Sequence, residues 1–353
     1  MLIQQDIDQK ILKVIYGMEN IGTPGFKESC PLSIVNMKTW EWAQGVGLYG
    51  LQKYYVQTKN PAMLKFLTGW FDENIQNGLP PKNVNTVCPM LTLTYVYEYT
   101  QDERYLTLIR EWSQWVMLEM PRTDEGGIQH TTIEAENRQQ MWADTLFMTV
   151  MFLARAGVLL GKQEYVDEAV RQFLLHIKYL SDRKTGLWFH GWSFARRDNF
   201  GDIHWARGNC WYTAGAVDFL DIPEDLNEGV KNFIIGTLLA QVEALEKYQE
   251  EDGMWHTIID DPSSYSETSA TAGFAYGILK AVRLGYIPEK FRKCGVRAME
   301  AVMKNIDAAG IVGKVSYGTA LSMNIDDYRN VPCCPMTYGQ ALAVLMLTEG
   351  MKT

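Results

Sequence analysis

The 353-residue chain is long enough to form one large domain or two ordinary ones, and its composition is that of a soluble globular protein. A formal net charge of −9 argues against nucleic acid and anionic membranes as general partners, although it leaves room for a local basic pocket that binds an acidic ligand. Most of the eleven tryptophans lie in glycine-rich segments, where helix packing does not require them. Indole rings in such segments indicate stacking on sugars.

Cysteine usage and the terminal segments suggest an intracellular protein. The six cysteines form no C-x-x-C pair and no metal-like cluster with the five histidines, so we interpret them as reduced thiols. Neither a metal ion nor a cofactor is predicted. Residues 1–18 lack a basic start and a continuous apolar run, and thus no secretory signal is visible. The most apolar segment, 145–160, contains Arg155 and is shorter than the roughly 20 residues that span a bilayer. We therefore expect a cytoplasmic location.

Helical periodicity dominates the chain, and strand signals are short and adjoin glycines. The predicted helices cover residues 62–74, 90–99, 105–119, 165–180, 230–248 and 271–284. Between them glycines recur about every 58 residues, a period that fits two helices and two loops. These glycines are Gly22 to Gly25, Gly78, Gly126 to Gly127, Gly186, Gly253 and Gly313.

Six such helical hairpins predict a closed ring, because closure buries the apolar ends that an open array would expose. The expected fold is all-α, an (α/α)6 barrel that forms a single domain over residues 1–353. Apolar and polar residues alternate after Gly127 and after Gly186, which predicts short β-ribbons in these loops. We expect the ribbons and the active site to lie at one mouth of the barrel.

Asp144 is the carboxylate that the sequence singles out. It stands in the segment 138–155, which otherwise has an apolar helical pattern, and shares a helix face with Met141, Phe147 and Met148. No basic residue lies within one helical turn, so we expect a raised pKa and a role as general acid. An ordinary N-terminal helix cap is the alternative, but the pattern continues upstream through Trp142 and favours a functional group.

The segment 186–211 has the chain's densest mixture of Trp, His and Arg. Aromatic faces, cations and histidines are what an acidic sugar requires, and His190, Trp205 and Trp211 are the predicted contacts. Arg207 stands at a predicted helix start, where anion binding is favoured over the alternative of a surface ion pair.

Two further segments carry the same kind of residue. Residues 38–47 place Trp42 just before a helix, and residues 253–269 contain His256, Asp260 and Glu267. For His256 a structural role and a substrate contact are both open, and Asp260 is better explained as part of a turn.

Five motifs together carry a family resemblance. They are MWAD at 141–144, HGWSF at 190–194, HWARGNCW at 204–211, GMWHTIIDD at 253–261 and YSETSAT at 265–271. In order and spacing they resemble glycoside hydrolase family 105, the unsaturated rhamnogalacturonyl hydrolases, over nearly the whole chain. The resemblance implies an (α/α)6 barrel that acts on oligosaccharides left by polysaccharide lyases, whose non-reducing end is a Δ4,5-unsaturated galacturonyl or glucuronyl unit.

The resemblance also assigns roles to individual residues. It implies that Asp144 is the catalytic acid, and that His190, Trp205 and Arg207 surround the unsaturated ring and its carboxylate. The further predicted substrate contacts are Trp42, Asn85, Met141, Trp142, Trp211 and His256. The related glucuronyl hydrolases of family 88 carry a second Asp where this chain has Asn85, which disfavours a scheme with two carboxylates.

One carboxyl group would suffice for the implied reaction, the hydration of a vinyl ether. Asp144 would protonate C4, and its carboxylate would then take a proton from the water that attacks C5. Two other functions are compatible with the residues. A sugar 2-epimerase would use His190 and His256 as opposed bases, and a non-catalytic oligosaccharide-binding protein would use only the tryptophans. In each case the partner is a small sugar.

Overall fold

The computed structural model describes residues 4–23 and 35–352, and its long helices form two concentric rings. The inner ring consists of α2 (Trp42–Thr58), α4 (Val84–Thr100), α6 (Met151–Leu160), α8 (Ala206–Phe219), α10 (Thr268–Arg283) and α13 (Thr337–Gly350). The outer ring consists of α1 (Gln4–Asn20), α3 (Pro61–Asn77), α5 (Glu103–Leu118), α7 (Gln163–Leu180), α9 (Glu228–Tyr248) and α11 (Arg292–Lys304). A short helix, α12 (Ile325–Arg329), precedes the last inner helix.

The two rings follow from two patterns of hydrophobicity. The inner helices α8 and α13 are buried at every position, because they contact both the barrel interior and the outer ring. An outer helix such as α7 buries one stripe, which includes Tyr165, Ala169 and Phe173 at four-residue spacing, and exposes its other face. Helices buried on all sides therefore alternate along the chain with amphipathic ones.

The ring is closed by its first and last members. Helix α1 packs against α13, and α13 packs against α2, so the ends of the chain meet. The predicted (α/α)6 barrel is confirmed. Each of the six predicted helices coincides with an observed one, although the predictions 105–119 and 271–284 each run one residue past its end. The largest error concerns α4, which was predicted from residue 90 but starts at Val84. Its start is fixed by the capping box of Asn83 with Thr86, and the helix continues through Pro89.

Recurring glycines make the turns that enter the barrel mouth. Gly186 has φ +86° and Gly253 has φ +91°, and a Cβ atom at these positions would lie 2.4 Å from the Ala240 carbonyl oxygen and 2.5 Å from that of Arg297. Each turn thus packs directly on the backbone of the next outer helix. The last member of the series is Gly310, with φ +87°, and not the predicted Gly313.

The predicted β-ribbons take a different form. Strand β1 (Gln140–Trp142) pairs antiparallel with β2 (Gly191–Ser193), so that Met141 lies opposite Trp192. Within each loop only single bridges form, such as Arg122 with Ile128. The prediction of one ribbon per loop was therefore wrong, because two separate loops each contribute one strand to a shared ribbon.

The described residues were also searched for membrane-spanning helices and for cysteine pairs. None of their helices is both long enough and apolar enough to cross a bilayer. Among them Cys88, Cys210, Cys294 and Cys333 are free thiols, and of these four only Cys333 is exposed. Cys30 and Gly25 lie outside the described residues.

Candidate active site

A cavity of about 600 Å³ opens at the mouth where inner helices begin. The first turns of α2, α4 and α13 contribute Trp42, Asn85 and Tyr338 to its wall, and Asp144 and Trp142 stand between them. Helix N-termini carry partial positive charge, so their convergence favours an anionic ligand. The rest of the wall comes from three parts of the chain. Before and at the start of α2 these are Val35, Glu41 and Ala43, and in the loop before β1 and at its first residue they are His130, Thr132, Glu134, Ala135, Asn137 and Gln140. The remaining residues are Met148, Phe200, Met336 and the segment 317–321.

Asp144 begins the inner helix of the third hairpin. Strand β1 ends at Trp142, and a π-helical turn at Leu146–Val150 leads into α6. The helical pattern predicted through Met141 and Trp142 was wrong, since both residues lie on β1 and point to opposite sides. Met141 is fully buried, whereas Trp142 lines the cavity. A π-helical turn is a frequent feature of functional sites.

The charge state of Asp144 differs from the sequence prediction. Its Oδ2 atom lies 3.4 Å from His190 Nε2 and has no hydrogen-bond partner among the described residues. Burial would raise the pKa of Asp144, but His190 and, more weakly, His130 and Arg207 outweigh it and bring the pKa below its usual value. The predicted raised pKa was wrong because the polar neighbours come from outside the helix of Asp144, beyond the reach of helix periodicity.

A chain of hydrogen bonds orients His190. The backbone N–H of Ser322 donates to Tyr328 Oη at 3.2 Å, and the Tyr328 hydroxyl forms a hydrogen bond with His190 Nδ1 at 2.8 Å. When the Tyr328 hydroxyl donates to Nδ1, the hydrogen of the neutral ring is on Nε2, on the side of Asp144. Burial lowers the pKa of His190 despite the nearby carboxylate, and the ring is therefore neutral near pH 7.

Arg207 lies behind the cavity wall and is occupied by the chain itself. The guanidinium donates to the Ser316 carbonyl at 3.1 Å, to the Tyr317 carbonyl at 3.0 Å and to Thr319 Oγ1 at 3.1 Å. It also stacks on the rings of Trp205 and Tyr338. Its direct contact with a substrate carboxylate stays a prediction, and what the structure shows is that Arg207 holds the loop that forms one wall.

Two indole rings face the cavity from stacked positions. Trp142 lies parallel to His130, with ring centroids 4.2 Å apart and an interplanar angle of 8°. Trp42 stacks on Tyr338 with centroids 4.6 Å apart. Each indole is held rigidly by its partner, which prepares a flat apolar surface for a sugar ring.

Several predicted contacts lie behind these walls. Trp205 packs under His190 with centroids 4.1 Å apart, and Trp211 packs edge-on against Trp42. His256 is more distant from the chemistry, since its Nε2 atom lies 3.2 Å from Glu250 and its ring does not line the cavity. The two bases that an epimerase would need, His190 and His256, therefore do not share the cavity.

Sequence reasoning missed several titratable residues of the wall, among them Glu41 and His130. His130 accepts or donates a hydrogen bond through Nδ1 to Thr145 Oγ1 at 2.8 Å, and burial lowers its pKa to about 4. Its only sequence signal was its place in a predicted ribbon. Glu41 stands between two tryptophans of the segment 38–47, which was noted for its indoles alone.

The described part of the chain has no set of side chains placed to bind a metal ion. Within residues 4–23 and 35–352 no group of three His, Cys, Asp or Glu side chains is arranged to hold a metal ion. The carboxyl groups that line the cavity are those of Glu41, Glu134 and Asp144, and the histidine in its lining is His130.

A ring of six helical hairpins with a carboxylate and indole cavity at one mouth defines a glycoside hydrolase of the helical-barrel class. The model of Glycosyl Hydrolase Family 88 matches residues 20–353. An unsaturated rhamnogalacturonyl hydrolase, YesR of Bacillus subtilis (strain 168), is 34% identical over 89% of this chain and 90% of its own length. The chain belongs to glycoside hydrolase family 105, and it also matches the family 88 model.

Solved structures agree with this assignment. A possible family 105 member from Salmonella enterica serovar Paratyphi A is 44% identical, with a TM-score of 0.94 over 100% of this chain and 95% of that one. A second, from Klebsiella pneumoniae, is 42% identical with a TM-score of 0.93 over 100% and 94%. The unsaturated glucuronyl hydrolase of Bacillus sp. GL1, at 18% identity and a TM-score of 0.74 over 98% and 96%, shares the fold.

Proposed function

We propose that this enzyme releases a Δ4,5-unsaturated uronic acid from the non-reducing end of short oligosaccharides produced by polysaccharide lyases. The observation that carries the proposal is the position of Asp144, which faces an indole-walled cavity while His190 contacts it from behind. The name of the Bacillus relative, unsaturated rhamnogalacturonyl hydrolase, supports the same substrate class. A rhamnogalacturonan disaccharide with an unsaturated galacturonyl unit is the first substrate to test, followed by its glucuronyl counterpart.

The reaction is a hydration of the vinyl ether at C4 and C5. A proton adds to C4, which leaves an oxocarbenium-like cation at C5, and water then adds to C5. The resulting hemiketal opens by breaking the C5–O5 bond, and O5 becomes a hydroxyl group on C1. The second sugar leaves from that hemiacetal. The double bond is thus consumed before the glycosidic bond breaks.

Asp144 suits the step in which water is activated. Its low pKa keeps it ionised near pH 7, so it can accept a proton from the water that attacks C5. The His190 ring, whose Nε2 atom lies 3.4 Å from Asp144 Oδ2, favours the charged form of the carboxylate. An ordinary glycosidase instead places two carboxyl groups across the anomeric bond.

Substrate binding follows from the walls of the cavity. Trp42 and Trp142 offer faces or edges to the sugar rings, and Asn85 offers an amide for hydroxyl groups. The positive charge of Arg207 and the N-terminal ends of α2, α4 and α13 favour the uronate carboxylate without a direct ion pair.

The test is incubation with lyase-generated oligosaccharides while the ultraviolet absorbance of the C4=C5 bond is followed. Loss of absorbance with release of the neighbouring sugar supports the proposal, and Asp144→Asn serves as the inactive control. A binding protein or an epimerase would leave the absorbance unchanged. Parallel assays on galacturonyl and glucuronyl disaccharides identify the preferred glycone.

A further inference from the structure

We infer that the backbone N–H of Gly318 binds the uronate carboxylate, and that Arg207 acts on this carboxylate through the peptide group between Tyr317 and Gly318. The inference rests on the proposed function and deepens it, because it names the group that receives the acidic end of the substrate. It is carried by the hydrogen bond that turns the Tyr317 carbonyl towards Arg207, behind the wall of the cavity that Gly318 lines.

The wall segment is fixed at Ser316, just before it reaches the cavity. The Ser316 carbonyl accepts hydrogen bonds from Arg207 at 3.1 Å and from the Tyr338 hydroxyl at 2.5 Å. The Ser316 N–H donates to Glu267 Oε1 at 2.9 Å. Glu267 is fully buried, and the same Oε1 atom lies 3.9 Å from a guanidinium nitrogen of Arg207. The start of the segment therefore keeps one position relative to the Arg207 charge.

The peptide group between Tyr317 and Gly318 has a fixed orientation. Its carbonyl oxygen, that of Tyr317, accepts hydrogen bonds from Arg207 at 3.0 Å and from Thr319 Oγ1 at 2.9 Å. None of the described peptide bonds is cis, and in a trans peptide group the N–H and the C=O point in opposite directions. The Gly318 N–H therefore points away from Arg207. Since Arg207 is buried behind the wall and Gly318 lines the cavity, this direction leads into the cavity.

The Gly318 N–H is a strong donor that the protein itself leaves available. Among residues 4–23 and 35–352, none accepts a hydrogen bond from it. The neighbouring Thr319 hydroxyl cannot take its place, because its hydrogen is donated to the Tyr317 carbonyl. Hydrogen bonds in a chain polarise one another, so a peptide group whose carbonyl binds a guanidinium is a stronger donor at its N–H. An anionic oxygen is the acceptor that gains most from such a donor.

The position of this donor fits the uronate carboxylate. No Lys or Arg of the described chain lines the cavity, so the carboxylate has no direct ionic partner there. Gly318 and Asp144 line the same cavity, and the Arg207 charge contributes to the lowered pKa of Asp144. The substrate carboxylate is attached to C5, the atom that water attacks in the proposed reaction. The group that binds this carboxylate must therefore lie within one sugar ring of Asp144, as the shared cavity allows.

The test measures binding of an unsaturated uronyl disaccharide and of its neutral methyl ester by titration calorimetry. Gly318→Pro removes the N–H, and Gly318→Ala, which keeps it, is the reference. A Cβ atom at Gly318 would meet no atom within 4 Å, and the φ angle of Gly318 lies outside the left-handed region. Both variants also carry Asp144→Asn, so that neither ligand is consumed. We expect the Pro variant to bind the acid about 10- to 100-fold more weakly than the Ala variant, as for loss of a hydrogen bond to a charged group. The loss for the ester should be clearly smaller.

Equal losses for acid and ester would overturn the inference, because they would show that the proline ring only obstructs the cavity. A second measurement serves if Gly318→Pro does not fold. In Asp144→Asn protein labelled with ¹⁵N-glycine, the Gly318 amide signal is identified by its absence from the spectrum of the Gly318→Ala variant. We expect the acid to move this signal downfield and the ester to move it less. A signal that stays in place when the acid is bound would also overturn the inference. The proposed function would survive either outcome, since it fails only if the wild type leaves the double bond intact.

Discussion

The Oδ2 atom of Asp144 lies 3.4 Å from Nε2 of His190, and the two residues reach each other from adjoining hairpins joined by the β1–β2 ribbon. The backbone is tied at the same point, because the N–H of Ala143 donates to the His190 carbonyl at 2.9 Å. This contact fixes both the position and the charge of Asp144. It favours the ionised form of Asp144 in the free enzyme, whereas the local sequence predicts a raised pKa.

Asp144→Asn should abolish hydrolysis while the protein stays folded. The amide has nearly the same volume, but it cannot accept a proton from water, so kcat should fall by about 10² to 10⁴. Binding of the oligosaccharide, measured by titration calorimetry, should change little, and the Tm should stay within a few degrees of the wild type. Turnover within a few-fold of the wild type would remove Asp144 from the reaction.

Tyr328→Phe should lower kcat because it removes the hydroxyl that fixes the His190 ring. Without the bond to Nδ1, His190 can adopt the tautomer that presents no hydrogen to Asp144. We expect a loss of roughly tenfold, because removing one partner of a buried hydrogen bond costs about 1 to 3 kcal/mol. Tyr212→Phe is the control, since its buried hydroxyl donates to the Ile234 carbonyl and has no part in the site. Equal kcat values in the two variants would contradict the orienting role.

Arg207→Lys should raise KM steeply and also lower kcat. A single ammonium group cannot replace the bonds to the Ser316 and Tyr317 carbonyls and to Thr319, so the wall of the cavity should loosen. Arg155→Lys provides a matched change of a mostly buried arginine that pairs with Glu98 and does not line the cavity. The test is to measure KM and kcat of both variants by steady-state kinetics. An unchanged KM for Arg207→Lys would show that Arg207 does not contribute to substrate binding.

Asp218→Asn should destabilise the fold without direct contact with the cavity. Asp218 is buried, accepts hydrogen bonds from Tyr49 at 2.8 Å and Tyr276 at 2.7 Å, and pairs with Lys280 and Lys53. Loss of one member of a buried ionic cluster costs about 3 to 5 kcal/mol in free energy of unfolding. Asp72→Asn, which weakens an exposed pair with Arg104, should cost about 1 kcal/mol or less.

The difference in unfolding free energy between the wild type and Asp218→Asn should depend on pH, because folding changes the pKa of Asp218. Burial raises this pKa, but Lys280 and Lys53 outweigh it, and the net pKa is far below the usual value. A lowered folded-state pKa stabilises the protein above the unfolded-state pKa of about 3.9, and this contribution is lost as the pH falls towards the folded-state value. Denaturant melts should therefore show the largest gap between wild type and Asp218→Asn near pH 7, and a smaller gap near pH 3. A gap that grows on acidification would contradict this assignment.

The outer helices could be predicted from the sequence because their amphipathic stripes are local. The inner helices were harder, since a helix such as α4 is apolar on all sides and its start depends on the cap formed by Asn83. The ribbon was mispredicted because β1 and β2 come from different loops, and strand pairing between loops leaves no local pattern.

The candidate site could also be predicted only in part: several of its residues were identified from the sequence, but their charge states were not. Trp42, Asn85, Trp142 and Asp144 were predicted and do line one cavity, because each lies in a motif with aromatic or family character. The lowered pKa of Asp144 depends on His190 from the next hairpin, and the raised pKa of Glu41 depends on burial and on Glu134. Electrostatic environments of this kind arise only when distant segments meet, so periodicity could not reveal them.

The central claim, hydration of a vinyl ether with Asp144 as an essential group, is tested most directly by one time course. Ultraviolet absorbance of the double bond and the amount of free second sugar are followed together for the wild type and for Asp144→Asn on an unsaturated uronyl disaccharide. The account predicts that the wild type loses one double bond for each sugar released and that the variant does neither. Release of the second sugar while the double bond persists would show direct cleavage of the glycosidic bond and would contradict the account.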